Sequence, residues 1–223
     1  MWCVGKLTAE YRRRMYALLD LYARPLPANE LLICVDEKSK QLLAHSRAPL
    51  PMRHGTPLRE DYEYERRGTR NLFVAVEPRV GQRTVMVTGR RTKDDFVAFI
   101  RHLLEKVYPQ ARRIHLVLDN LNTHFRKVFE EILGKRQATQ LLRRVEFHHT
   151  PKHASWLNMA EIEIAALSRQ CLDRRLPDEA TLIREVKAWQ KHRNDQRCTI
   201  EWTFTRQDAD RKMGKHYVSS LTC

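Results

Sequence analysis

Two aspartates in this chain close apolar runs: Asp36 ends "LLICVD" and Asp119 ends "IHLVLD". Nearly continuous apolar residues of that length suit strands buried on both faces. If the two strands are parallel neighbours, their terminal carboxylates lie side by side. Two anions held so close repel unless a cation sits between them, and oxygen-only ligation suits Mg²⁺ or Mn²⁺. An aspartate after a strand is also a frequent cap for the segment that follows; for either residue alone both readings stand, and the matching contexts favour the metal. A third acid is offered by "SWLNMAEIEIAAL", where Glu161 and Glu163 stand two residues apart on an expected helix and so face different directions. With Leu157, Ile164, Ala165 and Leu172 as the inward stripe, Glu161 lies on it and Glu163 points towards solvent. A carboxylate on an apolar stripe needs a partner. Asn158, one turn earlier, is placed to orient that carboxylate or a bound water.

The elements that would hold these residues follow from periodicity. "TAEYRRRMYALLDLYARP" reads as an amphipathic helix with Thr8 as N-cap and Pro25 beyond its end. Leu31 to Val35 form a strand, and Gln41 to His45 a second one paired with it through a turn. From Ala48 to Gly68 the chain makes a long polar excursion. "NLFVAVEP" and "RTVMVTG" read as strands around a turn near Pro78 to Gly81. "TKDDFVAFIRHLLEKVYP" is a helix opened by a Thr92/Asp95 capping box. "RRIHLVLD" is a strand, "FRKVFEEILG" a helix closed by Gly134, and "RRVEFHHTP" a short strand. One helix runs from about Ser155 and another from Asp178; "TIEWTF" alternates like a strand, and Thr205 with Asp208 caps a last helix. Strands followed by βαβ units imply an α/β fold with a mixed sheet flanked by helices, in which ligands collect at the carboxyl ends of strands.

The bulk numbers agree with an anionic partner. In 223 residues, 41 Lys and Arg against 27 Asp and Glu leave a net charge of +14, spread along the chain, and nucleic acid is the commonest partner for such a surface. Five cysteines, at 3, 34, 171, 198 and 223, include no CxxC pair, which argues against a zinc ribbon or a disulfide framework and makes a reducing cytoplasm the expected location. No segment reads as a signal peptide or a membrane span. Among the histidines, His149 and His153 have i, i+4 spacing, but Pro151 between them breaks a helix and no HExxH is present, so this run gives no zinc motif.

The set "VDEKS" at 35–39, "LVLDNLNTH" at 116–124 and "HHTPKHASWLNMAEIE" at 148–163 resembles the DDE transposases of bacterial insertion sequences of the IS630 type, relatives of the Tc1/mariner elements. The resemblance runs from Trp2 to Tyr217. It implies a ribonuclease-H-like five-stranded sheet, with Asp36, Asp119 and Glu161 as catalytic and metal-binding acids; the family's third acid follows an Asn by three residues, which selects Glu161. It implies two Mg²⁺ or Mn²⁺ ions, hydrolytic nicking at transposon terminal inverted repeats, and attack of the freed 3′-hydroxyl on target DNA. A homodimer on DNA and action at the bacterial nucleoid belong to the same expectation. Asn120 and Asn158 would support the metal site; Lys38, Lys152 and the arginines Arg66, Arg67 and Arg70 of "ERRGTR" would contact DNA. Residues 1–26 would form a helical lead-in and 27–223 the catalytic domain, without the helix-turn-helix region that reads the terminal repeats. Two other readings share the carboxylate cluster: an inactive remnant that only binds DNA or dimerises, and a ribonuclease-H-like nuclease without strand transfer.

Overall fold

A computed structural model describes residues 7–119 and 125–217. Five strands, β1 (Glu30–His45), β2 (Tyr64–Glu77), β3 (Gln82–Thr88), β4 (Arg113–Leu118) and β5 (Val145–His149), form one sheet in the order β3-β2-β1-β4-β5. The β1–β2 and β2–β3 pairs are antiparallel, whereas β1–β4 and β4–β5 are parallel. β1 is therefore central, and Leu32 to Asp36 are buried in succession, as a strand covered on both faces requires.

Strand alternation sorts the core into two layers. Ile33, Val35, Phe73, Ala75, Ile114, Leu116 and Leu118 pack under α2 (Lys93–His102), α3 (Arg126–Leu133) and α4 (Lys135–Leu141). The alternate residues meet the other helices: Leu32, Cys34, Val76 and Val117 pack on α1 (Ala9–Ala23), while Leu72 and Val74 pack on α5 (Ala160–Leu167) and α6 (Glu179–Asp195). A last helix, α7 (Arg206–Met213), lies against α1. Met15, Leu18 and Leu19 of α1 are buried in this second layer, each such side chain contributing about 1.5–3 kcal/mol of apolar transfer. The first helix is thus part of the same core.

The N-caps Thr8, Thr92, Asp178 and Thr205 all accept the expected backbone N–H bonds, with reciprocal capping boxes at Thr92/Asp95 and Thr205/Asp208. Elsewhere the structure corrects the sequence reading. Leu31 to His45 is one strand with a bulge between Gln41 and Leu43, not two strands; "KSKQ" holds no Gly, Pro, Asn or Asp with which to turn. "ERRGTR" is the outer half of β2, paired along β1 instead of lying in a loop. Gly134 does close α3, but α4 follows at once. "TIEWTF" is no strand: Ile200, Trp202 and Phe204 pack as an extended segment on the α1 layer, with the Trp202 ring 5.2 Å from that of Tyr22. None of the described helices is long and apolar enough to cross a membrane.

The β2–β3 turn fixes a further contact. Gly81 has φ +76°, and a Cβ there would lie 2.6 Å from the Arg197 carbonyl carbon. Gly81→Ala is expected to cost about 1–3 kcal/mol through strain and collision, readable as a lower urea midpoint with an unchanged slope.

Candidate active site

β4 runs parallel to β1, with Cys34 opposite Val117. Asp36 and Asp119 each follow their member of that pair by two residues, just past the last paired residues of β1 and β4. Asp119 directly follows the end of β4, whereas Asp36, expected to close its strand, lies inside β1, which runs on along β2 to His45 with Asp36 opposite Val74. Asp36 is 8% exposed and takes a 2.7 Å hydrogen bond from the Glu37 N–H on Oδ1. Alternation places Asp36 on the α1/α5 side of the sheet, whereas Glu37 turns to the opposite side and pairs with Arg91 at 3.2 Å. The end of β4 is held from its other flank: Thr150 N–H donates to Leu118 O at 2.9 Å, and His149 Nδ1 lies 3.3 Å from Asp119 O. Asp119 is half-buried.

α5 follows β5 through a short built connection. A 3₁₀ turn, Ser155–Leu157, is followed by Asn158 in extended conformation (ψ 114°), and only then does the α-helix begin at Ala160. Asn158 is fully buried; its Nδ2 donates to Val35 O at 2.8 Å and its Oδ1 accepts from Ala160 N–H at 3.2 Å. Its own carbonyl accepts the Glu161 N–H at 3.0 Å. One side chain therefore ties the start of α5 to the residue before Asp36, three positions ahead of Glu161. Asn158→Ala leaves a buried carbonyl and a helix N–H without their partner, at about 1–3 kcal/mol. It is expected to lower both the thermal midpoint and the rate of any reaction run on these acids, measured side by side.

The helix is rotated from the expected phase, and this is the main correction at the site. Its buried residues are Ala160, Glu163, Ile164 and Leu167, at i, i+3, i+4 and i+7. Glu161 sits on the border of that stripe, half-buried, and Ala165 is only partly covered. Glu163, expected in solvent, is 0% exposed. Extrapolating the stripe from Leu157 fails because Asn158 breaks the helical phase between Leu157 and Ala160. Glu163 is claimed by two guanidiniums: Arg83 Nη2 donates to its Oε2 at 3.0 Å, while Arg193 Nε and Nη2 donate to Oε1 and Oε2 at 3.0 and 3.1 Å. Arg83 Nε stands a further 2.8 Å from Oε1, an ion pair outside hydrogen-bond geometry. Burial pushes the Glu163 carboxyl up, but these two arginines outweigh it and hold it below the ordinary value. Glu163 is thus a strut joining α5, β3 and α6. Asp36, Asp119 and Glu161 are not drawn into one cluster, since among the described residues only His115, Glu146 and His148 bring three such groups within 4.8 Å of one another.

The expected DNA-contacting side chains are placed unequally. Lys38, two residues after Asp36 on β1, shares its face, and Lys152 is exposed in the segment leaving β5. Arg66 and Arg70 flank the register shift of the β1–β2 pair, with Arg70 opposite Lys40 and Arg66 opposite Leu43, so they do not share a face. Arg70 is paired with Glu179 at 2.7 Å and Arg67 with Glu65, so the arginine run is not one patch. Asn120, with Asn122, Thr123 and His124, lies outside the described residues.

Sequence reasoning missed a second polar cluster, made by His115, Glu146 and His148 on β4 and β5. His115 is fully buried; burial lowers its pKa, and it drives that of His148 down to about 4. His115 and Glu146 are paired across β4–β5, a relation that spacing within either strand does not reveal.

Residues 31–183, more than half of the chain, match the family model described as DDE superfamily endonuclease. The chain belongs to that superfamily. Its fold is that of solved Mos1 mariner transposase complexes. The paired-end complex with Mn matches at TM-score 0.57 and 17% identity over 89% of this chain and 60% of that one. The strand transfer complex matches at TM-score 0.63 and 13% identity over 99% and 67%. A Mos1 paired-end complex with the left transposon end matches at TM-score 0.57 and 16% identity, again over 60% of its length. This chain therefore spans about 60% of the first of these transposases. No curated protein matches the sequence. The mixed five-stranded sheet with helices on both faces is the ribonuclease-H-like arrangement of this DDE endonuclease.

Proposed function

We propose that this DDE endonuclease is the catalytic domain of an IS630-type transposase, in which Asp36, Asp119 and Glu161 hold a pair of Mg²⁺ or Mn²⁺ ions. The observation that supports the reading is that Asp36 and Asp119 each stand two residues past the Cys34–Val117 pair of adjacent parallel strands, with a helix start that Asn158 bonds to β1 just before Asp36. The donor set fits: three carboxylates supply only hard oxygen ligands, on one side of the sheet. Bound divalent metal supplies Lewis acidity and charge neutralisation for in-line phosphoryl transfer.

The chain's own residues do the rest. Asp36 and Asp119 hold their carboxylates on strands whose backbone bonds leave little freedom, so the oxygens are positioned before DNA arrives. Asn158 sets the distance from the start of α5 to β1 beside Asp36. Lys38 and Lys152 contact phosphate and orient the backbone without reading sequence, and the net charge of +14 draws DNA to the surface. Water and a DNA 3′-hydroxyl are chemically alike as nucleophiles, so one site serves nicking of terminal repeats and joining to target DNA, as a dimer on DNA.

Supercoiled plasmid incubated with Mg²⁺ or Mn²⁺ tests the cleavage, and a labelled terminal-repeat duplex with a free 3′-hydroxyl tests the joining. Nicking is expected with either metal, together with joined products. Asp119→Asn is expected to lower nicking more than about 10²-fold, since even groups one step removed from a metal cost 10–100-fold. Nicks that persist in Asp119→Asn overturn the assignment. Nicks without joined products select the simple nuclease instead.

A further inference from the structure

We propose that His115, His148 and Glu146 form a Zn²⁺-class metal site on the β4–β5 edge of the sheet, separate from the acidic triad. The donor atoms are already arranged for it: His115 Nδ1 is 3.1 Å from His148 Nε2 and 3.5 Å from Glu146 Oε2, and His148 Nε2 is 3.5 Å from Glu146 Oε1. Ligands about 2.0–2.1 Å from a tetrahedral ion are about 3.3–3.4 Å apart. The two histidine nitrogens are near that spacing, and the two Glu146 oxygens each face one of them. With a single oxygen the three donors lie within 4.8 Å of one another, so a small turn of the Glu146 carboxylate completes three vertices. Two imidazoles and a carboxylate select Zn²⁺ or Co²⁺ over the Mg²⁺ class. Glu146 is half-exposed while His115 is buried, which leaves the fourth position on the solvent side, for water.

The site lies away from the triad. His115 precedes Asp119 by four residues on β4, about 13 Å at 3.3 Å per residue. It also has the outer partner that metal-binding histidines use: Glu30 Oε2 is 3.5 Å from His115 Nε2 and would accept its N–H once Nδ1 binds metal. Arg24 Nη2 opposes this, standing 3.1 Å from the same Nε2. Facing that donor, Nε2 is an acceptor and the His115 proton sits on Nδ1, shared with His148. Metal binding moves that proton from Nδ1 to Nε2, displaces Arg24 and engages Glu30. The ion then cross-links β5, an edge strand, to β4 through side chains in place of a single His–His hydrogen bond.

The test uses chelator-stripped protein in the Asp119→Asn/Glu161→Gln background, so that the proposed catalytic acids do not compete. Titration with Co²⁺ is expected to give the intense visible bands of a four-coordinate site, saturating at one equivalent and displaced by Zn²⁺. His148→Gln and Glu146→Gln should each weaken Zn²⁺ binding at least about 100-fold, more than loss of an outer partner. Glu30→Gln should weaken it about 10–100-fold, and Arg24→Gln should tighten it. Glu146→Gln, at a half-exposed edge position, keeps the comparison open if His148→Gln does not fold. Absence of cobalt bands, or bands unchanged in Glu146→Gln, overturns the site; neither outcome bears on DNA cleavage.

Discussion

Glu161→Gln is expected to abolish metal-dependent nicking, by more than about 10²-fold, while moving the unfolding free energy by less than about 0.5 kcal/mol. The two halves of that expectation have different origins. Glu161 is half-buried on the border of the packed stripe of α5, so neutralising it disturbs no core contact. Its main-chain N–H bond to Asn158 O at 3.0 Å is kept in the variant. What the variant lacks is the anionic oxygen pair proposed to bind metal with Asp36 and Asp119, and a neutral amide is a poor ligand for a hard divalent ion. Plasmid nicking and urea melts on the same preparation separate the two. A large loss of stability in Glu161→Gln would show that Glu161 is structural.

Much of the fold and the site is legible in the sequence, and the failures have physical causes. Asp36 and Asp119 can be matched from the sequence because each ends an apolar run, but only Asp119 follows the end of its strand. β1 continues past Asp36 because β2 pairs with it as far as His45, a long-range contact that the run of residue types does not encode. The Thr92/Asp95 and Thr205/Asp208 caps are legible because capping is a contact between residues three apart. The orientation of α5 is not. It depends on Asn158 leaving helical geometry to bond Val35 O, a contact between residues far apart in the chain. The burial of Glu163 is hidden for the same reason, since Arg83 comes from β3 and Arg193 from α6. The strand alternation of "TIEWTF" is real, but alternation signals a strand only where a neighbour offers an unpaired edge. The His115 cluster shows the limit again: Glu146 and His148 share a face of β5 at i, i+2, but His115 joins them from β4 across a parallel pair, and nothing in one strand's spacing encodes its neighbour.

Glu163→Ala is the counterpart and should behave in the opposite way, costing about 3–5 kcal/mol of stability. Arg83 and Glu163 are both fully buried, and without the carboxylate the Arg83 guanidinium keeps, among the described residues, the carbonyls of Gly81 and Cys198. Removing one partner of such a group leaves an uncompensated charge in a low-dielectric interior. For a chain of this size, 1 kcal/mol corresponds to about 2–4 °C, so the thermal midpoint should fall by about 6–20 °C. Replacing both partners by apolar residues, Arg83→Met with Glu163→Leu, should recover a large part of the loss, because no charge is then stranded. The pH dependence has a definite sign. Arg83 and Arg193 hold the Glu163 carboxyl below its ordinary 4.5 against the upward push of burial. The unfolded chain therefore binds the proton first, and the contribution is complete above about pH 4.5 and lost as the pH falls through the lowered folded value. Glu163→Ala should accordingly flatten the acid limb of a stability–pH curve. Any fall in its cleavage should track the unfolded fraction and recover on cooling, because Glu163 acts on the chemistry only by holding α5, and with it Glu161, against the sheet. Cleavage lost with the midpoint unmoved would exchange the roles of the two glutamates.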